Sequence, residues 1–197
     1  MPEEKKSAAQ NEPEVLFGDE AKGVSDHHLH QLVDSVINPD ISDPRLRDVV
    51  EMQHQKIITA RDEQRLAVAN VLGQPVSATQ LKYWGTWRGR PMFELKGVIT
   101  DPHFRRQGLA AKVQQRCIEA VLEKDPHSLV IVITATPDLK SHYDRLVEQG
   151  SWRLMSVKEC QETALKNPQE KIFSPDFIKN GDSTVRIYAY DHQSVRQ

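Results

Sequence analysis

Leu129-Val-Ile-Val-Ile133 is an uninterrupted apolar run, the pattern of a strand covered on both faces in the parallel part of a sheet. A parallel strand needs a crossover, and the residues before the run supply one. Met92–Thr100 reads as a strand. Leu109–Leu122 reads as a helix with Leu109, Ala110, Val113, Cys117, Ala120 and Val121 on one face, ended near Asp125-Pro126. A strand, a crossover helix and a parallel strand therefore stand at the centre of the chain.

The flanking periodicities extend this unit. Residues 1–13 are polar and aperiodic, the composition of a disordered tail; residues 14–197 are expected to form a single domain. After a short strand at Glu14–Phe17, Leu29, Leu32, Val33, Val36 and Ile37 share a helical face behind Ser25/Asp26, and Pro39 stops that helix. A second helix is expected from Asp43 to about Gln53, with Pro44 at its first position. Lys56–Ala60 and Leu66–Leu72 read as an antiparallel hairpin, and the Tyr83-Trp84-Gly-Thr-Trp87 region as a polar connection. Beyond the apolar run, Pro137 opens a helix that Gly150 stops. Strands at Trp152–Met155 and Thr184–Tyr190 close the order, with a helix at Lys158–Lys166 between them.

Composition narrows the classes of function. The 26 Lys+Arg against 28 Asp+Glu leave a net charge of −2, so no basic field steers the chain toward nucleic acid or an anionic membrane. Cys117 and Cys160 lie far apart, and the N-terminus has no apolar stretch of the kind a secretory signal needs. A reducing, intracellular (cytoplasmic) setting is the expectation. No apolar run approaches the roughly 20 residues that span a bilayer, so a soluble protein is expected.

Several α/β folds share this order of elements, and the junction after the third strand separates them. It reads Gly97-Val-Ile-Thr-Asp-Pro102-His-Phe104-Arg105-Arg106-Gln107-Gly108-Leu109-Ala110. A strand feeding a glycine-bearing turn at a helix N-terminus presents unpaired N–H groups and the positive end of the helix dipole to an anion. Arg105 and Arg106 add charge, Gly108 admits a positive φ and a close approach, and the small Ala110 leaves the first turn open. Together these parts make a pyrophosphate site. The chain has no G-x-G-x-x-G and no Gly-Lys-Ser/Thr after a strand, which sets aside Rossmann and P-loop readings.

Here the sequence resembles the GNAT acetyltransferases, whose hallmark is Arg/Gln-x-x-Gly-x-Gly/Ala after strand 4. Arg105, Gly108 and Ala110 fill that pattern, with Pro102 and Phe104 in their expected places. The resemblance covers residues 14 to 191 as an order of elements and residues 92 to 152 as motif. It implies a mixed, mostly antiparallel central sheet with a parallel, splayed strand pair and flanking helices. It also implies acetyl-CoA as co-substrate, with no metal, and direct attack by an acceptor amine in a ternary complex. The turn Arg105-Arg106-Gln107-Gly108-Leu109-Ala110 would hold the pyrophosphate. The segment Val98-Ile99-Thr100 would hold the pantetheine arm through the backbone of Val98 and Thr100. The Val98 N–H would also polarise the thioester carbonyl.

The resemblance assigns proton transfer to two further residues. Tyr143 would protonate the departing thiolate, although it stands seven residues before Gly150 where the usual spacing is about four. Otherwise it completes an apolar face with Leu139 and Leu146. Glu94 would take a proton from the acceptor, at a place where some protein-lysine acetyltransferases carry a basic glutamate. Its other reading is a strand charge paired with Lys96 or an arginine.

His27-His28-Leu-His30 lacks nearby Cys or carboxylate ligands at matching spacing and is read as decorating a helix start. The Tyr83–Arg90 segment could stack bases, but without a basic surplus its expected use is packing, or contact with an acceptor or with a partner subunit in a homodimer. Two other functions are carried: a GNAT-fold module that holds CoA without turnover, and a nucleic-acid-interacting protein. The acceptor amine is not legible. Residues Ser156–Asp182 and the loop near Asn38–Asp43 are the expected acceptor pocket.

Overall fold

The computed structural model describes residues 12–37, 44–166 and 185–190. Their strands form a mixed seven-stranded sheet in the order β1-β2-β3-β4-β5-β7-β6. The chain divides into two compact units, one of residues 1–78 with 99–113 and the other of residues 79–98 with 114–197. Among the described residues no helix is long and apolar enough to cross a membrane.

In the first unit, β1 (Glu14–Phe17) pairs antiparallel with β2 (Leu66–Val71). Helices α1 (Asp26–Ile37) and α2 (Pro44–Asp62) precede β2. Ser25 accepts at α1's start, its Oγ from His28 N at 3.3 Å and its carbonyl from Leu29 N at 3.1 Å. Leu29, Leu32 and Val33 of α1 pack with Ile57 and Ala60 of α2 and with Leu66, Val68 and Ala78. The expected strand at Lys56–Ala60 is instead the last part of α2. Val50, Ile57 and Ala60 recur on one helical face and are buried, so tertiary burial overrides the β-propensity of the Ile-Ile-Thr run. The helix ends at Asp62, and Gln64 just beyond it, at a φ of +59°, lets Arg65 N donate to Ala60 O at 2.7 Å.

The hairpin partner of β2 is β3 (Gln74–Trp87), joined to it through Leu72 and Gly73, both at positive φ. The expected polar connection around Tyr83, Trp84 and Trp87 is therefore strand. Gly85, at φ +82°, interrupts the alternation there, and both tryptophans bury on one face. Arg88 and Gly89 make the tight turn into β4 (Arg90–Thr100).

Helix α3 (Leu109–Lys124), which enters the second unit at Gln114, leads to β5 (Leu129–Thr134), which is parallel to β4. Next come α4 (Pro137–Glu148), β6 (Arg153–Leu154), α5 (Val157–Lys166) and β7 (Arg186–Tyr190), with β7 antiparallel to both β5 and β6. One face of this part of the sheet carries Trp84, Trp87, Met92, Leu129, Ile131, Ile187 and Ala189 under Cys160 and Ala164 of α5. Ser156 and Glu159 cap α5 reciprocally: Glu159 Oε2 accepts from Ser156 N at 2.8 Å, and Ser156 Oγ from Glu159 N at 3.3 Å.

Candidate functional site

The turn expected to hold a pyrophosphate grows out of the end of β4. Asp101 N donates to Val76 O at 2.9 Å, and Asp101 Oδ1 accepts from His103 N at 2.8 Å, which closes the short 3-10 turn Pro102–Phe104. Arg105 is extended, Arg106 turns left-handed at φ +64°, and Gly108 does so again at φ +74° before α3 begins at Leu109. A left-handed arginine is strained by about 1–2 kcal/mol, and such outliers cluster where a loop is shaped for a ligand.

Arg105, Arg106, Gln107 and Gly108 are exposed, while Leu109 is buried and anchors the helix end. Gly108 O accepts from Lys112 N at 3.1 Å, so the N–H groups of Leu109, Ala110 and Ala111 have no carbonyl of their own helix to serve. An ideal Cβ on Gly108 meets nothing within 4 Å: the space above the turn is open, and a side chain there would enter it. The donor set is backbone N–H groups and two guanidinium groups at a positive helix end. That chemistry fits a pyrophosphate.

Arg105 is partly committed, its Nε donating to Thr100 O at 3.3 Å. Ile99 O accepts from Ser77 Oγ at 2.9 Å, and Thr100 Oγ1 lies 2.9 Å from the same hydroxyl. Ser77 thus holds the end of β4 by two contacts. Sequence reading missed it, because a serine on a strand carries no distinguishing signal.

In the second unit, β4 and β5 pair only at Met92↔Leu129, Phe93↔Val130 and Glu94↔Ile131. β5 continues to Thr134, but Leu95–Val98 have no register partner on it, so the two parallel strands part after Glu94. Gly97 reinforces the divergence at φ +63°; an added Cβ there would meet Gln80 Nε2 at 3.1 Å. Val98 is half-buried beyond this bulge.

Glu94 sits at the last paired rung, 6% exposed, and accepts from Trp84 Nε1 at 2.9 Å. It is a buried carboxylate with an indole donor rather than a solvated strand charge. Tyr143 is 1% exposed on α4, and Tyr188 stacks on it at 5.2 Å between ring centroids while Trp152 meets it edge-on at 5.0 Å. Burial pushes its phenol well above the ordinary tyrosine range, and a hydrogen bond from Gln114 Nε2 at 2.8 Å pulls it partly back. Gln114 had a sequence signal that went unread: it is a polar residue set between Val113 and Cys117 on the apolar face of α3. Burial pushes the Cys160 thiol up to about 11, so at neutral pH it is a protonated core residue and a poor nucleophile.

His27, His28 and His30 lie in α1. His30 stacks on His54 at 4.1 Å, and His54 Nε2 lies 2.8 Å from Asp34 Oδ1. The loop near 38–43 and residues 167–182 of the expected acceptor segment lie outside the described residues.

Solved structures share this architecture. PaiA N-acetyltransferase from Thermoplasma acidophilum, in complex with coenzyme A, is 8% identical over 91% of this chain and 99% of its own, at a TM-score of 0.52. N-acetylglutamate synthase from Neisseria gonorrhoeae, complexed with coenzyme A and N-acetyl-glutamate, is 13% identical over 90% of this chain and 34% of its own, at 0.51. A GCN5-related N-acetyltransferase from Kribbella flavida is 15% identical over 75% of this chain, at 0.50; this chain covers 34% of that one, about a third of its length. No family model and no curated protein sequence matches the chain. The likeness is therefore one of fold. The protein has the fold of the GNAT N-acetyltransferases: a mixed, mostly antiparallel sheet with one parallel strand pair and flanking helices.

Proposed function

We propose that this protein is an acyl-CoA-dependent N-acyltransferase that moves an acetyl group from acetyl-CoA to an amine by direct attack. The observation that carries this reading is the turn Arg105–Ala110, where Gly108 at φ +74° has open space at its Cβ position and stands exposed with Arg105 and Arg106 at the start of α3. The bound coenzyme A in two structures of the same fold supports a donor of that class.

In this reading the turn holds the pyrophosphate and Val98-Ile99-Thr100 pairs with the pantetheine arm. The Val98 N–H polarises the thioester carbonyl, Glu94 takes the proton of the acceptor amine, and Tyr143 protonates the leaving thiolate. The buried, protonated thiol of Cys160 favours direct attack over an acyl-enzyme on that residue. The deciding experiment is release of free thiol from acetyl-CoA across a panel of small amines, amino acids and peptides. Acceptor-dependent release is expected; CoA binding without release from any acceptor would reject the enzyme reading.

A second reading, a CoA-holding module without turnover, is favoured by one observation. Tyr143 is packed between aromatic rings like a core residue.

A further inference from the structure

We propose that Gln114 is a positioning residue for proton delivery by Tyr143, its amide fixing the phenol oxygen so that the phenol's own hydrogen is the one presented for transfer. The inference rests on the acyl-transfer reading, in which Tyr143 protonates the departing thiolate.

Gln114 is half-buried, beside Val113 and Cys117, which are fully buried on the same helix, and the buried part of its amide gains from a partner. That partner is Tyr143, whose hydroxyl accepts from Gln114 Nε2 at 2.8 Å. The ring itself has little freedom: Tyr188 lies on one face at an interplanar angle of 27°, and Trp152 and His142 approach edge-on at 74° and 79°. Tyr188 is tied down in turn, its hydroxyl donating to Asp144 Oδ1 at 2.8 Å. Packing sets where the phenol oxygen lies, and the amide sets which of its valences is occupied. Because Gln114 donates, the phenol hydrogen is left uncommitted among the described residues.

The chemistry explains why a donor belongs there. The amine nitrogen bonds to the carbonyl carbon and gives up a proton to Glu94, and the adduct collapses with the C–S bond breaking and its electron pair going to sulfur. The Tyr143 proton follows onto that sulfur, and after product leaves the phenolate recovers a proton from the opened site while Glu94 releases the one it took, so that no net proton is gained or lost. A phenol of ordinary pKa about 10 is already a weaker acid than a thiol of about 8.5, and burial of Tyr143 widens the gap. A donor to the phenol oxygen strengthens as charge develops there, so it favours the transfer more than the resting state. Gln114 Nε2 is that donor.

Gln114→Met keeps the length of the side chain and removes the donor. Turnover should fall about ten- to a hundredfold, the range for a hydrogen bond to a developing charge, with KM for acetyl-CoA unchanged. Adding Gln114→Met to Tyr143→Phe should cost nothing more, because the amide acts through the phenol. Gln114→Glu, close in shape but accepting at neutral pH, should be at least as slow as the Met variant.

Wild-type or faster turnover in Gln114→Met beside a slow Tyr143→Phe, or losses that add in the double variant, would overturn the role of Gln114 and leave the proton donor standing. Wild-type turnover in Tyr143→Phe would remove the donor itself and the inference with it. A measurement independent of turnover uses protein carrying 13C-labelled tyrosine, with the Tyr143 Cζ resonance assigned by its loss in Tyr143→Phe. That resonance should move in folded Gln114→Met, and an unmoved one would overturn the contact.

Discussion

Gly108 and Tyr143 would serve the proposed site in different ways. Gly108 matters through what it lacks. At φ +74°, with open space where a Cβ would project, its replacement by valine should cost about 1–2 kcal/mol of stability from backbone strain alone. It should also sharply weaken CoA binding, because the new side chain occupies the space above the helix start. Calorimetric titration of folded Gly108→Val with CoA checks this, and unchanged affinity would dismiss the turn as the pyrophosphate site. Under the proposed acyl transfer, Tyr143 would matter through one hydrogen. Tyr143→Phe should slow acetyl transfer about ten- to a thousandfold with CoA affinity nearly intact. It should cost about 1 kcal/mol or more in urea unfolding as well, since Gln114 Nε2 loses its acceptor. Loss of stability without loss of rate would make Tyr143 a packing residue.

Among the elements, the tie between α4 and β7 governs how Tyr143 is held. Asp144 on α4 accepts from the Tyr188 hydroxyl at 2.8 Å and from Arg186 Nη1 at 2.8 and 2.6 Å. The Tyr188 hydroxyl, more than the Arg186 charge, holds the Asp144 carboxyl below the usual aspartate range, against a smaller opposing effect of desolvation. A folded-state value below the unfolded one of about 3.9 means the ionised carboxylate stabilises the fold above that pH, and the contribution is lost as pH falls through the lower folded value. The stability gap between the wild type and Asp144→Asn should accordingly be widest near neutrality and close as urea midpoints are followed below about pH 4. A gap that stayed constant down to pH 3 would show that the ionised carboxylate contributes nothing through this tie.

For the molecule as a whole, we propose that the acceptor of the acyl transfer is recognised by the segment between β6 and β7. Its described part, α5, is bound to the sheet by Cys160 and Ala164 and to the β3–β4 turn by Arg88, whose Nη2 lies 2.9 Å from Glu162 Oε2. A deletion of residues 167–182 that leaves α5 in place should therefore fold. We expect it to raise the acceptor KM or change amine preference while CoA affinity is kept. The same acceptor profile in a folded deletion variant would remove this segment from acceptor recognition.

Much of the architecture was legible because it is written in local patterns. The apolar run of β5, the stripe of α3, Pro137 and Gly150 at the ends of α4, and Gly108 at the head of α3 each express a conformational or burial constraint on one short stretch. Lys56–Ala60 and Tyr83–Trp87 were misread for the complementary reason. A β-branched run can be helical when its neighbours bury one helical face, and a glycine-bearing polar stretch can be strand when Gly85 sets two tryptophans against a core. The pairs around the proposed site were settled only by the tertiary structure: Gln114 with Tyr143, Trp84 with Glu94, and Ser77 with the end of β4 join residues 29, 10 and 22–23 positions apart. Hydrogen bonds at such separations depend on distances between elements, and periodicity along a chain specifies which face a residue occupies but not what it meets there.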